Sequence, residues 1–218
     1  MIQTIIFDMD GVIVDTEPVH RYAYFQHYKE LGIDVSEELY TTFTGLSTRN
    51  TYQKLKDKFG LDGEVEEMIL RKRALFNDAF DTKEDLQLLD GVEALIKDFH
   101  QNGMQLILAS SASKVTIERV FTRFNLHPFF THIVSGEDFP QSKPDPAIFL
   151  HAASLSVAPK ENCIVIEDST NGVRAAKAAG IYCVGYKSIH SKDQNLDLAD
   201  RVIAHFDELN HSTVSQLV

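Results

Sequence analysis

Thr4-Ile5-Ile6-Phe7-Asp8-Met9-Asp10-Gly11 is the stretch that most limits what this chain can fold into. A short apolar run that stops at two carboxylates and a glycine reads as a buried strand of a parallel sheet. Its acids then lie at the carboxyl end of the strand, where open α/β sheets place their ligands. Asp8 and Asp10 are separated by one residue and must share that crevice. Two unit charges about 4 Å apart at an effective dielectric of about 20 repel by roughly 4 kcal/mol. A fold that assembles such a pair needs a cation or a proton to compensate, which points to a bound divalent metal and a phosphoryl group. Taken alone, Asp-x-Asp-Gly also occurs in turns and in Ca²⁺-binding loops; the remainder of the chain decides between these readings.

That remainder alternates strand and helix, with one interruption. Residues from about 16 to 85 carry helix signals only. Thr16 is a candidate N-cap with Pro18 in the first turn, Ser36 is a second cap, and Gly32 and Gly60 are stops. A further helix spans about Glu64 to Phe80. From Gly91 the rhythm returns. Strands are expected at Met104–Ala109, His132–Ser135, Cys163–Ile166, Ile181–Tyr186 and Arg201–Ala204, separated by helices. One of these helices opens with Asp145 as N-cap and Pro146 at its first position. The expected fold is therefore α/β, a doubly wound parallel sheet formed by residues 1–15 and 86–218. An all-helical domain of residues 16–85 is inserted in it, with Asp81–Asp85 as the second hinge.

Composition excludes several function classes. The 218-residue chain has a net charge of −11, which disfavours nucleic acid and anionic membranes as partners. Its first apolar run is broken by Asp8 and follows no basic segment, so a signal peptide is not expected. No stretch approaches the ~20 apolar residues of a membrane span. A cytoplasmic protein, monomeric and acting on a small molecule, is the expectation. Cys163 and Cys183, each within an apolar run, read as buried reduced thiols. The first strand is not followed by Gly-x-Gly-x-x-Gly, which argues against a dinucleotide-dependent oxidoreductase.

Three strands end in small or acidic polar residues: Asp8 and Asp10, Ser110, and Glu167 with Asp168. Lys143 precedes a proline-marked helix. Parallel strands would bring all of these to one edge of one sheet, as carboxylates, a hydroxyl and an ammonium. That set suits a phosphate bridged to Mg²⁺, which takes few protein carboxylates and fills its shell with phosphate and water. Ser110 and the backbone N–H of Ser111 can donate to phosphate oxygens at a helix N-terminus. Lys143 can neutralise both the phosphate and Asp8.

The series Asp8-Met9-Asp10-Gly11, Ser110, Lys143-Pro144-Asp145-Pro146 and Glu167-Asp168-Ser169 resembles the haloacid dehalogenase-like superfamily in order and spacing. In detail it is similar to the β-phosphoglucomutase-like phosphatases, and the helical insert resembles the cap domain of that family. The resemblance implies that Asp8 attacks phosphorus, that Asp10 is general acid and then base, and that Ser110 and Lys143 bind the transferring group. It implies Mg²⁺ held by Asp8, Asp10 and Asp168, with Glu167 beside them. It assigns Thr16, His20, Gly45, Arg49 and Arg73 in the cap to substrate recognition, with Ser111 in the core. Two cap positions depart from the mutase pattern: Thr48 stands where that pattern has arginine, with Arg49 one later, and Arg73 stands for its lysine. These departures favour an Mg²⁺-dependent phosphatase of a small phosphorylated sugar, with a β-phosphoglucomutase-type hexose-phosphate mutase as the alternative. A phosphate-binding module without catalysis is the remaining reading.

Overall fold

The computed structural model describes residues 1–43, 46–188 and 194–217. Gly45, one of the expected recognition residues, lies outside the described residues. The chain divides into two units, one of residues 1–15 and 87–218 and one of residues 16–86. No helix among the described residues is long and apolar enough to cross a membrane.

The first unit is built on β1 (Thr4–Phe7), β2 (Gln105–Ser110), β3 (His132–Ser135), β4 (Cys163–Glu167), β5 (Tyr182–Tyr186) and β6 (Arg201–Ile203). All pairings are parallel and the order is β3-β2-β1-β4-β5-β6. Strand order reverses at β1, which pairs with β2 on one side and β4 on the other. β1, β2 and β4 are buried along their whole length, which is why they read as continuous apolar runs and not as an alternation.

Alternate residues of these strands go to opposite faces of the sheet. Ile6, Ile107, Val165 and Cys183 join a core with Phe149 and Ala152 of α7 (Ala147–Ser154) and with Val173 and Ala176 of α8 (Thr170–Ala178). On the other face, the Phe7 ring lies 6.4 Å from that of Phe99 in α5 (Val92–Gln101) and 5.8 Å from that of Phe130. Cys163 and Cys183 are buried and unbridged.

Several expected boundaries shift by a residue or two. β2 begins at Gln105 and runs on through Ser110. The helix after Lys143 starts at Ala147, not at Pro146. Asp145 nonetheless performs the capping chemistry, because its Oδ1 accepts from the Ala147 N–H at 2.9 Å. Proline has no N–H, so Ala147 offers the first donor that the carboxylate can satisfy. Thr16 occupies the N-cap position of α1 (Glu17–Glu30) but makes no side-chain capping bond, since its own backbone is already helical at φ −92° and ψ −6°.

The second unit is helical throughout: α1, α2 (Glu37–Thr41), α3 (Thr48–Phe59) and α4 (Val65–Thr82). Ser36 and Ser47 cap α2 and α3 by accepting from Leu39 N and Asn50 N. Tyr24 and Tyr28 of α1, Tyr52 and Leu55 of α3, and Met68 and Ile69 of α4 form its core. The Tyr52 hydroxyl lies 2.6 Å from His27 Nδ1.

Candidate active site

The register of the sheet sets the site. Phe7 pairs with Leu108 on one side and Ile166 on the other, so the next residue, Asp8, emerges between the ends of β2 and β4. Its N–H still bonds Ile166 O at 3.0 Å, which extends the ladder to the residue that carries the carboxylate. The chain then turns sharply around a single carbonyl. Met9 O accepts from the N–H groups of Val12, Ile13 and Val14. Gly11 sits in this turn at φ +81°, a conformation that side-chain-bearing residues rarely adopt. A Cβ there would also stand 2.2 Å from Asp168 Oδ2. The carboxylate that follows β4 thus reaches over the turn that follows β1.

Lys143 binds this edge together. Its Nζ donates to Asp8 Oδ1 at 2.5 Å, to Glu167 Oε1 at 2.8 Å and to Ala109 O at 3.2 Å. It also stands 4.7 Å over the Phe149 ring. The ammonium is buried, at 6% side-chain exposure, so its charge is met by protein and not by water. Burial works against its ionised form, but Asp8 and Glu167 outweigh that and hold it above the ordinary lysine value. Asp8 goes the other way. Burial pushes its carboxyl up to about 7, Lys143 opposes the rise, and the neighbouring Glu167 and Asp10 add to it.

The edge therefore gathers Asp8, Asp10, Glu167 and Asp168 against one buried ammonium. Among the described residues no three acidic, imidazole or thiol side chains form a closed metal-ligand set. The donor set still fits Mg²⁺, which uses one or two protein carboxylates and completes its octahedron with water and phosphate. Asp8 and Asp168 would supply those carboxylates, and a dication there would offset the burial, and the neighbouring Glu167 and Asp10 charges, that raise Asp8.

Ser110, the last residue of β2, is fully buried. Its Oγ accepts from Ala112 N at 3.0 Å, which leaves the hydroxyl proton to donate elsewhere. Ser111 does not stand at a helix N-terminus. The following helix, α6 (Lys114–Arg123), begins three residues later and is capped by Ser113, which accepts from Thr116 N. The run Ser110-Ser111-Ala112-Ser113 offers several hydroxyls for that cap, and sequence alone does not choose among them.

In the helical unit, Lys72, the neighbour of the expected recognition residue Arg73, lies against His20. Lys72 Nζ lies 2.6 Å from His20 Nδ1 and 4.5 Å over the Tyr24 ring, and it is buried. Helical spacing explains this: Met68, Ile69, Lys72, Phe76 and Phe80 share the buried face of α4, and Arg73 lies one step round it. An ammonium can only donate, so Nδ1 is the acceptor and the imidazole proton sits on Nε2. Burial, and then Lys72, hold the His20 imidazole well below its ordinary value, so it is neutral. Its ring stacks on Phe76 at 4.3 Å. Arg49 is exposed and paired with Glu66.

Comparison with known proteins is consistent with this arrangement. Residues 5–186 match the model of a family described as haloacid dehalogenase-like hydrolase. Hexitol phosphatase B of Escherichia coli (strain K12) is 32% identical over 213 residues, covering 94% of this chain and 92% of that protein. The crystal structure of CbbY from Rhodobacter sphaeroides in complex with phosphate superposes with a TM-score of 0.86 at 27% identity, covering 96% of each chain. That of β-phosphoglucomutase from Clostridium difficile gives 0.84 at 27% identity, covering 100% of this chain and 97% of the other.

Proposed function

The chain belongs to the haloacid dehalogenase-like hydrolase family, and we propose that it is an Mg²⁺-dependent phosphatase of a small phosphorylated sugar or sugar alcohol. The observation that carries this reading is the lysine bridge, Asp8–Lys143–Glu167, placed at the strand-order reversal with Asp168 beside it. The similarity to a hexitol phosphatase supports the substrate class.

In this reading Asp8 Oδ attacks phosphorus while the bond to the leaving sugar oxygen breaks. Asp10 gives its proton to that oxygen, and the phosphoryl group stays on Asp8 as an acyl phosphate. Asp10, now ionised, takes a proton from water, and the resulting hydroxide attacks phosphorus, frees Asp8 and yields inorganic phosphate. Lys143 and the Ser110 hydroxyl bind the equatorial oxygens, whose charge must be stabilised throughout. Asp8, the Asp10 carbonyl and Asp168 would hold Mg²⁺, which when bound supplies the charge that keeps the Asp8 carboxylate ionised and draws the phosphate in. Recognition of the sugar is assigned to Thr16, His20, Lys72, Gly45, Arg49 and Arg73.

The test is a panel of sugar and alditol phosphates, incubated with and without MgCl₂ and scored for both released phosphate and isomerised substrate. Phosphate release that requires the metal is expected. Isomerisation without release would replace the phosphatase with a mutase, and inertness towards every phosphomonoester would refute both.

A further inference from the structure

β2 and β3 end side by side, with Ser110 paired to Ser135. Ser110 opens the turn Ser110-Ser111-Ala112-Ser113 that leads into α6, and the segment after β3 grips this turn. Ser135 is buried, at 1% exposure. Its Oγ donates to Ala112 O at 2.7 Å and accepts from Glu137 N at 3.2 Å. Ala112 is thereby held at both ends, since its N–H goes to Ser110 Oγ at 3.0 Å. Glu137 Oε2 accepts from Lys114 N, in the first residue of α6, at 3.0 Å. A carboxylate of the protein therefore already uses that end of the helix, where negative charge is favoured.

Gly136, between Ser135 and Glu137, meets the turn by contact. A Cβ there would stand 3.0 Å from Ser111 Cα and 3.4 Å from the Ser111 carbonyl carbon and oxygen. These are backbone atoms, which cannot swing aside as the end of a side chain can. Gly136 is not among the glycines with positive φ, so what glycine supplies at this position is close approach.

We propose that Ser135 and Gly136 are positioning residues for the phosphate-binding turn: Ser135 acts on the Ser110 hydroxyl through Ala112, and Gly136 fixes the place of the Ser111 backbone. A hydroxyl has one proton to give. Ser135 gives its own to Ala112 O, and this holds Ala112 so that its N–H meets Ser110 Oγ. That N–H fills an acceptor position on Ser110 and turns the Ser110 proton away from its own chain, towards an incoming phosphate oxygen. The consequence for phosphate rests on the phosphatase reading; the contacts among Ser110, Ala112 and Ser135 do not.

The test is a double-mutant cycle on Ser110→Ala and Ser135→Ala, with binding of inorganic phosphate in MgCl₂ read by calorimetry. Ser135→Ala should weaken phosphate about five- to tenfold, the effect of losing one hydrogen bond and leaving its acceptor unmet. The double variant should bind phosphate no worse than Ser110→Ala alone, because the two residues act in series. Ser135→Thr keeps the hydroxyl and should restore most of the affinity, and Gly136→Ala should weaken it. Thr131→Ala, which removes a hydroxyl that donates to Leu106 O before the start of β3, should leave it unchanged. Equal losses from Ser135→Ala with and without the Ser110 hydroxyl, or parental affinity in Ser135→Ala, overturn the assignment. Should Gly136→Ala fail to fold, the serine cycle decides alone. Amide hydrogen exchange at Ala112, followed by NMR, should speed up in Ser135→Ala, and unchanged exchange overturns the positioning role. A parent protein that neither binds phosphate nor hydrolyses any phosphomonoester would refute the phosphatase reading, and exchange at Ala112 would still decide whether Ser135 holds the turn.

Discussion

Replacing Asp8 with asparagine should make the metal-free protein more stable at pH 8, although it removes half of a buried ion pair. Burial, with Glu167 and Asp10 nearby, raises the Asp8 carboxyl from 3.8 to about 7 despite Lys143. A group whose folded value lies above its unfolded value costs stability once pH passes the unfolded value, and the cost is complete above the folded one. At about 1.4 kcal/mol for each pH unit between the two, ionised Asp8 costs the fold about 4 kcal/mol. Asparagine has the same shape without the charge. Lys143 keeps Glu167 but loses one partner, which takes back part of the gain and leaves about 2–3 kcal/mol. For a chain of this length that is a rise in Tm of about 4–12 °C. The assay is thermal unfolding in EDTA from pH 4 to 8, on the unaltered protein and on Asp8→Asn. The two should melt together at pH 4 and separate steadily up to pH 7. A variant that melts at or below the parent at pH 8, or a gap that does not grow with pH, would refute the account of Asp8 as a carboxylate held against its electrostatic preference. The same substitution should reduce phosphatase turnover to below about a tenth, since it removes the nucleophile.

Three further outcomes follow from particular contacts. Asp10→Ala should cripple turnover yet leave Asp8 able to accept a phosphoryl group from a reactive donor, read as one added phosphate in the intact mass; an unmodified chain would deny the division of labour. Gly11→Ala places a side chain at φ +81° and against Asp168, so it should cost about 1–2 kcal/mol in stability and weaken Mg²⁺ binding in calorimetry; unchanged affinity would detach Asp168 from the metal. Lys72→Met should raise the His20 pKa seen by NMR, but not to the ordinary value of 6.5, because burial is the larger cause of its depression; no change would mean that Lys72 does not act on the ring.

The sheet was legible because β1, β2 and β4 are buried on both faces and so leave uninterrupted apolar runs. Asp8 and Glu167 were legible for a related reason, and Lys143 from its place before the proline-marked helix. A carboxylate that ends such a run has nowhere to go but the crevice, and the structure brings these three within hydrogen-bonding distance. What stayed hidden depends on three-dimensional packing. Lys72 looks like a solvated charge among Arg71 and Arg73 until α4 is aligned by its buried face. Gly172 looks like a weak helix former until the Glu167 carboxylate is seen beside it. A lysine in register with Met68 and Phe76 was the one available signal for the first; nothing in the linear chain marks the second.

The central position of β1 divides labour between stillness and motion. Hydrogen bonds secure that strand on both edges, and one of them reaches the amide of Asp8 itself. The backbone that leads into Asp8 therefore cannot travel without unzipping two ladders at once. Any rearrangement during a reaction cycle falls to groups beyond the strand: Asp10 in its tight turn, the lysine side chain, and the incoming substrate. Residues 16–86 form a unit of their own, so in the proposed mechanism that segment can change in sequence without altering the two ladders that hold Asp8.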